Sequence, residues 1–128
     1  MRQTSHAMTR IILAGVLLLT ACNSDARLRQ AHEIGAIQQL KAIGAAEITY
    51  YSQFGHFGGT FGELSIPEPE PTSGYAYKIE ASPAGFAVHA NPTEFGKTGA
   101  RCFYTDKTMV IRQSATQDPA DAGSPEVQ

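Results

Sequence analysis

Cys22 is the residue with the clearest chemical context, because it follows a segment laid out like an export signal. Arg2 and Arg10 precede an apolar run at residues 11–19, and two small residues then lead to the cysteine. A basic region, a short apolar region and a small-residue cleavage site are typical of a secretory signal peptide. The apolar run is shorter than the roughly 20 residues that a membrane-spanning helix needs. We predict that residues 1–21 are a removable signal peptide.

The four residues Leu19-Thr20-Ala21-Cys22 resemble the lipobox that lipoprotein signal peptidase recognises. The resemblance implies that Leu19, Thr20 and Ala21 are recognised by the peptidase and that the Cys22 thiol is lipidated, with acyl chains such as palmitate. Two or more acyl chains hold a protein firmly at a bilayer. We therefore expect a lipid-anchored protein of the bacterial cell envelope, and Asn23 slightly favours the outer membrane. The alternative is an ordinary secretory signal in which Cys22 is incidental.

The charge balance excludes some partner classes. The chain has 10 Lys and Arg residues and 12 Asp and Glu residues, and losing Arg2 and Arg10 would leave 8 against 12, a net charge of −4. An acidic chain offers no basic patch for nucleic acid. The expected partners are the lipid bilayer, through acylated Cys22, and an envelope protein that the sequence does not identify.

No set of side chains has the spacing of a catalytic or metal site. His32, His56 and His89 form no i, i+4 pair, and no cysteine cluster accompanies them. No G-x-S-x-G turn presents a serine nucleophile. With Cys22 acylated, Cys102 has no partner and is expected to be a small buried apolar residue. We predict a protein that is not an enzyme, with no catalytic residue, no metal and no cofactor.

Residues 55–62 form a glycine-rich stretch interleaved with aromatic residues. It lacks the lysine and hydroxyl of a phosphate-binding loop, and it follows a predicted helix instead of lying between a strand and a helix. We expect Phe54, Phe57 and Phe61 to fold back onto the core while the glycines allow tight turns. The same loop, with His56, Phe57 and Phe61, is a candidate contact surface.

Residues 25–54 have the pattern of one long helix. The segment contains no proline, and Gly55 follows it in the position of a residue that ends helices in a left-handed conformation. Apolar residues recur at offsets of three and four, which predicts one buried helical face. That predicted face contains Ile37, Leu40, Gly44, Ile48 and Tyr51, flanked by Ile34 and Ile43.

The remainder predicts a small sheet and a tail. Alternating residues at 75–81 and 86–90, with a turn at 82–85, predict one hairpin, and residues 101–105 and 109–112 predict a second one around Asp106. We expect an α+β fold in which the long helix covers one face of about four antiparallel strands. Residues 113–128 are poor in large apolar side chains and are expected to be disordered.

This plan resembles the type IV pilins and pseudopilins. The likeness spans residues 31–112. It depends on the alanine- and isoleucine-rich helix ending in a tyrosine pair, the passage Gln53-Phe54-Gly55-His56-Phe57, and Phe61-Gly62-Glu63-Leu64. Later segments, Gly74-Tyr75-Ala76-Tyr77, Gly96-Lys97-Thr98-Gly99-Ala100-Arg101-Cys102-Phe103-Tyr104-Thr105-Asp106 and Val110-Ile111-Arg112, resemble strands of the pilin headgroup. The resemblance implies a pilin-like domain at residues 22–112.

Two departures separate the sequence from that family. The apolar helix that pilins bury in a filament is replaced by the signal peptide and Cys22, and the final hairpin has Lys107 where a glycine often follows the aspartate. We expect a non-enzymatic, membrane-anchored module that acts through protein contacts at the envelope, either as an accessory of a type IV pilus or a type II secretion system or as an independent surface adaptor. The alternative is a periplasmic ligand-binding or inhibitor lipoprotein with a pocket between helix and sheet.

Overall fold

One long helix packs against a four-stranded antiparallel sheet. The computed structural model describes residues 2–128, with side chains from Ser24 onward. Helix α1 (Arg2–Phe54) is followed by β1 (Tyr75–Ser82), β2 (Gly85–Pro92), β3 (Cys102–Asp106) and β4 (Arg112–Ser114). The strands are adjacent in chain order, and each pairs antiparallel with the next. The predicted α+β class is confirmed.

The end of α1 follows the sequence prediction. Gly55 has a φ of 73°, in the left-handed region, and its N–H donates to the carbonyl of Tyr51 at 2.8 Å. This bond satisfies one of the carbonyls that the last helical turn leaves without an intrahelical partner. The loop that follows leads to β1 through a short 3₁₀ turn, Pro71–Ser73.

The buried face of α1 differs from the predicted stripe. Ala36, Leu40, Ile43 and Glu47 are at most 1% exposed, whereas Ile48 is 47% exposed. The predicted stripe is correct at Leu40 and wrong at Ile48 and Tyr51. The difference arises because two of the buried positions on this face are held by glutamates, Glu33 and Glu47, which a hydrophobicity pattern assigns to the solvent side.

The core lies between α1 and one face of the sheet. Because side chains alternate along a strand, β2 turns Phe86, Val88 and Ala90 toward the helix, and β3 turns Phe103 the same way. Leu40, Ile43, Val88 and Phe103 have no exposed surface. The interface between helix and sheet is therefore filled by side chains.

The fourth strand begins three residues later than predicted. Asp106 accepts hydrogen bonds from the N–H and the hydroxyl of Thr108, and Met109 adopts a φ of 62°. The Thr105 hydroxyl donates to the carbonyl of Val110 at 3.0 Å. The turn therefore uses the residues that alternation assigned to the strand, although Asp106 does shape the turn as expected.

Residues 113–128 are ordered, which corrects the predicted disordered tail. The segment folds over the outer face of the sheet: Ala120 has no exposed surface, and the Cys102 thiol lies 3.6 Å from the carbonyl of Thr116. Backbone N–H groups of Gln113 and Val127 donate to Pro125 and Ile111 at 2.8 and 2.9 Å. The composition argument failed because it counted only the tail's own apolar residues. The sheet supplies the apolar surface and the hydrogen-bonding edge that the tail lacks.

Candidate functional site

The lipidation motif lies outside the residues whose side chains the structure describes. Cys22 and its predicted recognition residues, Leu19, Thr20 and Ala21, therefore stay a sequence prediction. In the part of the chain that is described, no helix has both the length and the apolar character to cross a membrane.

A cluster of rings surrounds the carboxyl end of α1. Tyr51 stacks on Phe57 with ring centroids 4.6 Å apart, and Phe57 contacts the buried Phe86 at 5.3 Å. Beside this pair, Tyr50 contacts Phe54 at 4.5 Å and His56 at 5.4 Å. We call this surface the aromatic tip, and it consists of Tyr50, Tyr51, Phe54, His56 and Phe57.

The aromatic tip exposes large apolar groups to solvent. Phe54 is 59% exposed and Tyr51 is 46% exposed, and Ile48, one turn before Tyr51, is 47% exposed. A cavity of about 390 Å³ lies between the end of α1 and the following loop, lined in part by Tyr50, Phe54 and Glu63. Exposed apolar groups that cluster beside a cavity are typical of protein-contact surfaces.

The predicted contact loop is only partly accessible. His56 is exposed, whereas Phe57 and Phe61 are partly buried and pack against the core. The helical residues Tyr51 and Phe54 supply more of the exposed apolar surface than the loop does. Neither was predicted as a contact residue, because the apolar pattern places Tyr51 on the buried helical face and Phe54 was expected to fold onto the core.

A buried carboxyl fixes the loop beneath the aromatic tip. Glu47 has no exposed surface, and its Oε2 accepts a hydrogen bond from the N–H of Gly58 at 2.9 Å, while its Oε1 has no partner. Burial raises the pKa of Glu47, and the negative charge of Glu63 raises it further. A Cβ at position 58 would lie 2.9 Å from Leu64 Cδ2, so the Leu64 side chain would have to shift to admit one. No local pattern indicates this contact, because its two partners are eleven positions apart.

A second buried glutamate joins the other end of α1 to the sheet. Glu33 Oε1 accepts from the N–H of Ala100 at 3.0 Å, and its Oε2 accepts from Arg101 Nε and Nη2 at 3.2 and 2.9 Å. Arg101 also donates to Gln113 at 2.7 Å and lies 5.0 Å from the ring centre of Phe103. These contacts fix the helix against β3 and β4.

The cysteine and the histidines considered as candidate site residues make contacts within the fold instead of forming a site. Cys102 is buried, as expected, and burial raises the pKa of its thiol. His32 Nδ1 lies 2.9 Å from the carbonyl of Thr98, and the ring of His89 packs against Tyr104 with centroids 5.2 Å apart, so both histidines have contacts within the fold. Among the described residues, no group of three or more His, Cys, Asp or Glu side chains is arranged to hold a metal ion.

Cavities lie at the surface, away from the filled interface of helix and sheet. One of about 420 Å³ is formed by the β1–β2 hairpin and the β3–β4 turn, with Tyr104, Asp106 and Lys107 among its lining residues. Lys107 there donates to the carbonyl of Ala84 at 3.0 Å.

The chain matches no protein-family model, no curated protein and no solved structure.

Proposed function

We propose that the chain is a non-enzymatic, pilin-like lipoprotein that is anchored to a bacterial envelope membrane through acylated Cys22 and binds another envelope protein. An accessory role in a type IV pilus or a type II secretion system is the setting that the pilin resemblance favours. The observation that carries the proposal is the aromatic tip, because its exposed rings are held in place by contacts that reach the core.

The length of α1 separates the tip from the proposed anchor. At ~1.5 Å per residue, Ser24 and Phe54 lie about 45 Å apart along the helix. Acyl chains on Cys22 would hold the first end at the bilayer, and the aromatic tip would then face away from it. This arrangement suits a module that reaches a partner beyond the lipid headgroups.

The tip is also rigidly supported, which lowers the entropic cost of binding. The stack of Tyr51, Phe57 and Phe86 continues into the core, and the bond from Gly58 to Glu47 fixes the loop. Aromatic side chains have few rotatable bonds for their contact area, and they are enriched among the residues that dominate binding energy.

Membrane fractionation tests the anchor. Cys22→Ala should move the protein from the membrane fraction to the soluble fraction, because no acyl chain can then be attached. Cys102→Ala is the matched control and should stay with the membrane, since that thiol is buried in the folded domain. Retention of the Cys22→Ala protein at the membrane would refute the lipid anchor.

Capture from cells that express the chain tests the tip. Wild-type protein, cross-linked in its own envelope, should retain a defined envelope protein that the Phe54→Ser variant loses. Ile34→Ser is the matched control, because Ile34 is 48% exposed on the same helix but lies far from the tip. Equal capture by both variants would show that the tip is not the contact surface.

A ligand-binding lipoprotein is the second candidate. The cavity of about 420 Å³ at the β1–β2 hairpin favours it, although the pocket was expected between helix and sheet. A ligand that binds only the folded state raises the melting temperature. A small molecule that raises it, with the rise lost in Lys107→Ala, would favour this candidate over the first.

A further inference from the structure

Strand β1 is an edge strand with unpaired backbone groups. In the β1–β2 ladder, hydrogen-bonded and non-hydrogen-bonded pairs alternate. The N–H of Thr93 donates to the carbonyl of Gly74 at 3.0 Å, which identifies the even-numbered residues of β1 as those bonded to β2. Tyr77, Ile79 and Ala81 therefore direct their N–H and C=O groups away from the sheet. The carbonyl of Tyr75 points the same way but accepts from the Ser73 hydroxyl at 3.3 Å.

Space is open along the same edge. Two cavities, of about 250 and 400 Å³, lie between β1 and the loop before it. Both are lined by Phe61, Glu68 and Tyr77, and the larger one also reaches Ile79. Tyr77 and Ile79 are only partly buried. A strand added at this edge could therefore cover apolar surface as well as satisfy backbone groups.

The exposed charges of β1 are arranged symmetrically about Ile79. Lys78 and Glu80 point to the outer face, with Lys78 Nζ 2.9 Å from Glu80 Oε1, and their side chains are 72% and 51% exposed. Charges on an edge strand usually prevent pairing with other strands. Here the two charges have opposite signs and flank one residue, so the segment is complementary to an antiparallel copy of itself.

We propose that β1 pairs antiparallel with β1 of a second copy of this chain, with Ile79 opposite Ile79, so that two four-stranded sheets become one. In this register Tyr77 is opposite Ala81 of the other copy, and the outward N–H and C=O groups of all three residues can be bonded. Each Lys78 then lies opposite a Glu80. Shifting the centre to Lys78 or to Glu80 would place like charges opposite each other, which destabilises a cross-strand pair.

The direction of α1 relative to β1 determines how the two copies would be oriented. Position 74 lies against His32, and Phe86, the partner of Ala81, lies near Gly44, so α1 runs in the direction of β1. A two-fold axis normal to the joined sheet places both helices on one face and points them in opposite directions. The two amino-terminal segments therefore leave at opposite ends of the dimer. Two paired copies therefore cannot both stand upright on one bilayer with their aromatic tips facing away, so the pairing is a different arrangement from the one in which the tip reaches a partner.

Sedimentation of the full chain in detergent, over a range of protein concentrations, tests the pairing. We expect a concentration-dependent dimer whose Kd rises roughly tenfold or more in Lys78→Glu or in Glu80→Lys, because two attractive cross-strand contacts become repulsive. The variant with both substitutions should dimerise like wild type. An equimolar mixture of the two single variants should form a mixed dimer, since every opposed pair is again of opposite sign.

Lys97→Glu is the matched control. Lys97 forms an exposed ion pair with Glu94 at 3.3 Å, outside β1, and its reversal should leave the Kd unchanged. A chain that stays monomeric at every concentration would overturn the proposal. A dimer whose Kd is unchanged in Lys78→Glu and in Glu80→Lys would also overturn it. So would the failure of an equimolar mixture of these two variants to form a mixed dimer. In those cases the open edge is left unpaired or accepts a strand of another protein.

Discussion

The two buried glutamates of α1 lie on the same helical face, and their surroundings differ. Glu33 has a guanidinium partner, Arg101, and a backbone amide on its other oxygen. Glu47 has one backbone amide, from Gly58, and an oxygen with no partner. A buried carboxylate is costly unless it is paired and fully hydrogen-bonded. The same residue type can therefore stabilise one end of this helix and cost stability at the other.

Removing the cation at the first site should have the largest effect. Arg101→Met should lower the free energy of unfolding by about 3 kcal/mol, at the lower end of the range for breaking a buried ion pair, because it leaves a buried carboxylate without its partner. The low end is appropriate since the Arg101 side chain is 33% exposed. Urea denaturation measures the change. Lys97→Met is the control and should change stability little, because both members of its ion pair are exposed.

Neutralising Glu33 should cost less. Glu33→Gln keeps an acceptor for the N–H of Ala100 but loses the charge opposite Arg101, and we expect a loss of about 1.5 kcal/mol, the lower value for a hydrogen bond to a charged group. The same denaturation experiment measures it. An unchanged midpoint would mean that the ion pair contributes nothing to stability.

The same substitution at the second site should have the opposite sign. Glu47→Gln keeps an acceptor for Gly58 and removes a poorly compensated buried charge, so at pH 7 we expect a gain of up to about 1 kcal/mol, which is typical of a single stabilising substitution. If Glu47→Gln destabilises the protein as much as Glu33→Gln does, the contrast between the two sites is wrong.

The destabilisation caused by Glu47 should depend on pH. The folded state raises the pKa of Glu47 above its ordinary value of 4.5, so the folded protein binds a proton more tightly than the unfolded chain. The wild type therefore loses stability as the pH rises from 4.5 through the raised pKa. Glu47→Gln should remove this loss, so the difference between variant and wild type should shrink toward zero below pH 4.5. Thermal melts of the two proteins from pH 4 to 8 measure it.

Surface substitutions at the aromatic tip should have the smallest effect on stability. Phe54→Ser removes a ring that is 59% exposed, and we expect the free energy of unfolding to change by no more than about 0.5 kcal/mol. Circular dichroism melts check this, with Ile34→Ser as the control. A much larger loss would mean that any defect in partner capture reflects unfolding.

Features of the fold that depend on residues close together in sequence could be predicted, whereas features that depend on contacts between distant segments could not. The helix end at Gly55, the β1–β2 hairpin and the α+β class follow from local patterns, and they were predicted. The roles of Glu33 and Glu47 were not, because their partners, Arg101 and Gly58, come from other segments and a glutamate on a helix is normally solvated. The tail was misjudged for the same reason, since its order depends on the sheet surface that it covers.

The same distinction applies to the candidate site, where one residue was predicted from a local motif and the exposure of others depends on tertiary packing. The lipidation of Cys22 stays a prediction and depends on a short linear motif. The exposure of Tyr51 and Phe54, in contrast, depends on which face of the helix the sheet covers. A shift of the buried stripe toward Glu47 turned predicted core residues into surface ones. The loop residues Phe57 and Phe61 pack against the core, as their place among the glycines of the loop predicted.

The central claim is that a folded domain is tethered to the envelope by acyl chains on one sulfur. Intact-protein mass spectrometry of the chain, extracted from bacterial membranes, tests it most directly. The account predicts a mature protein that begins at Cys22 and carries the added mass of a diacylglyceryl group and a further acyl chain. A protein that still begins at Met1, or one that begins at Cys22 without acyl chains, would contradict it.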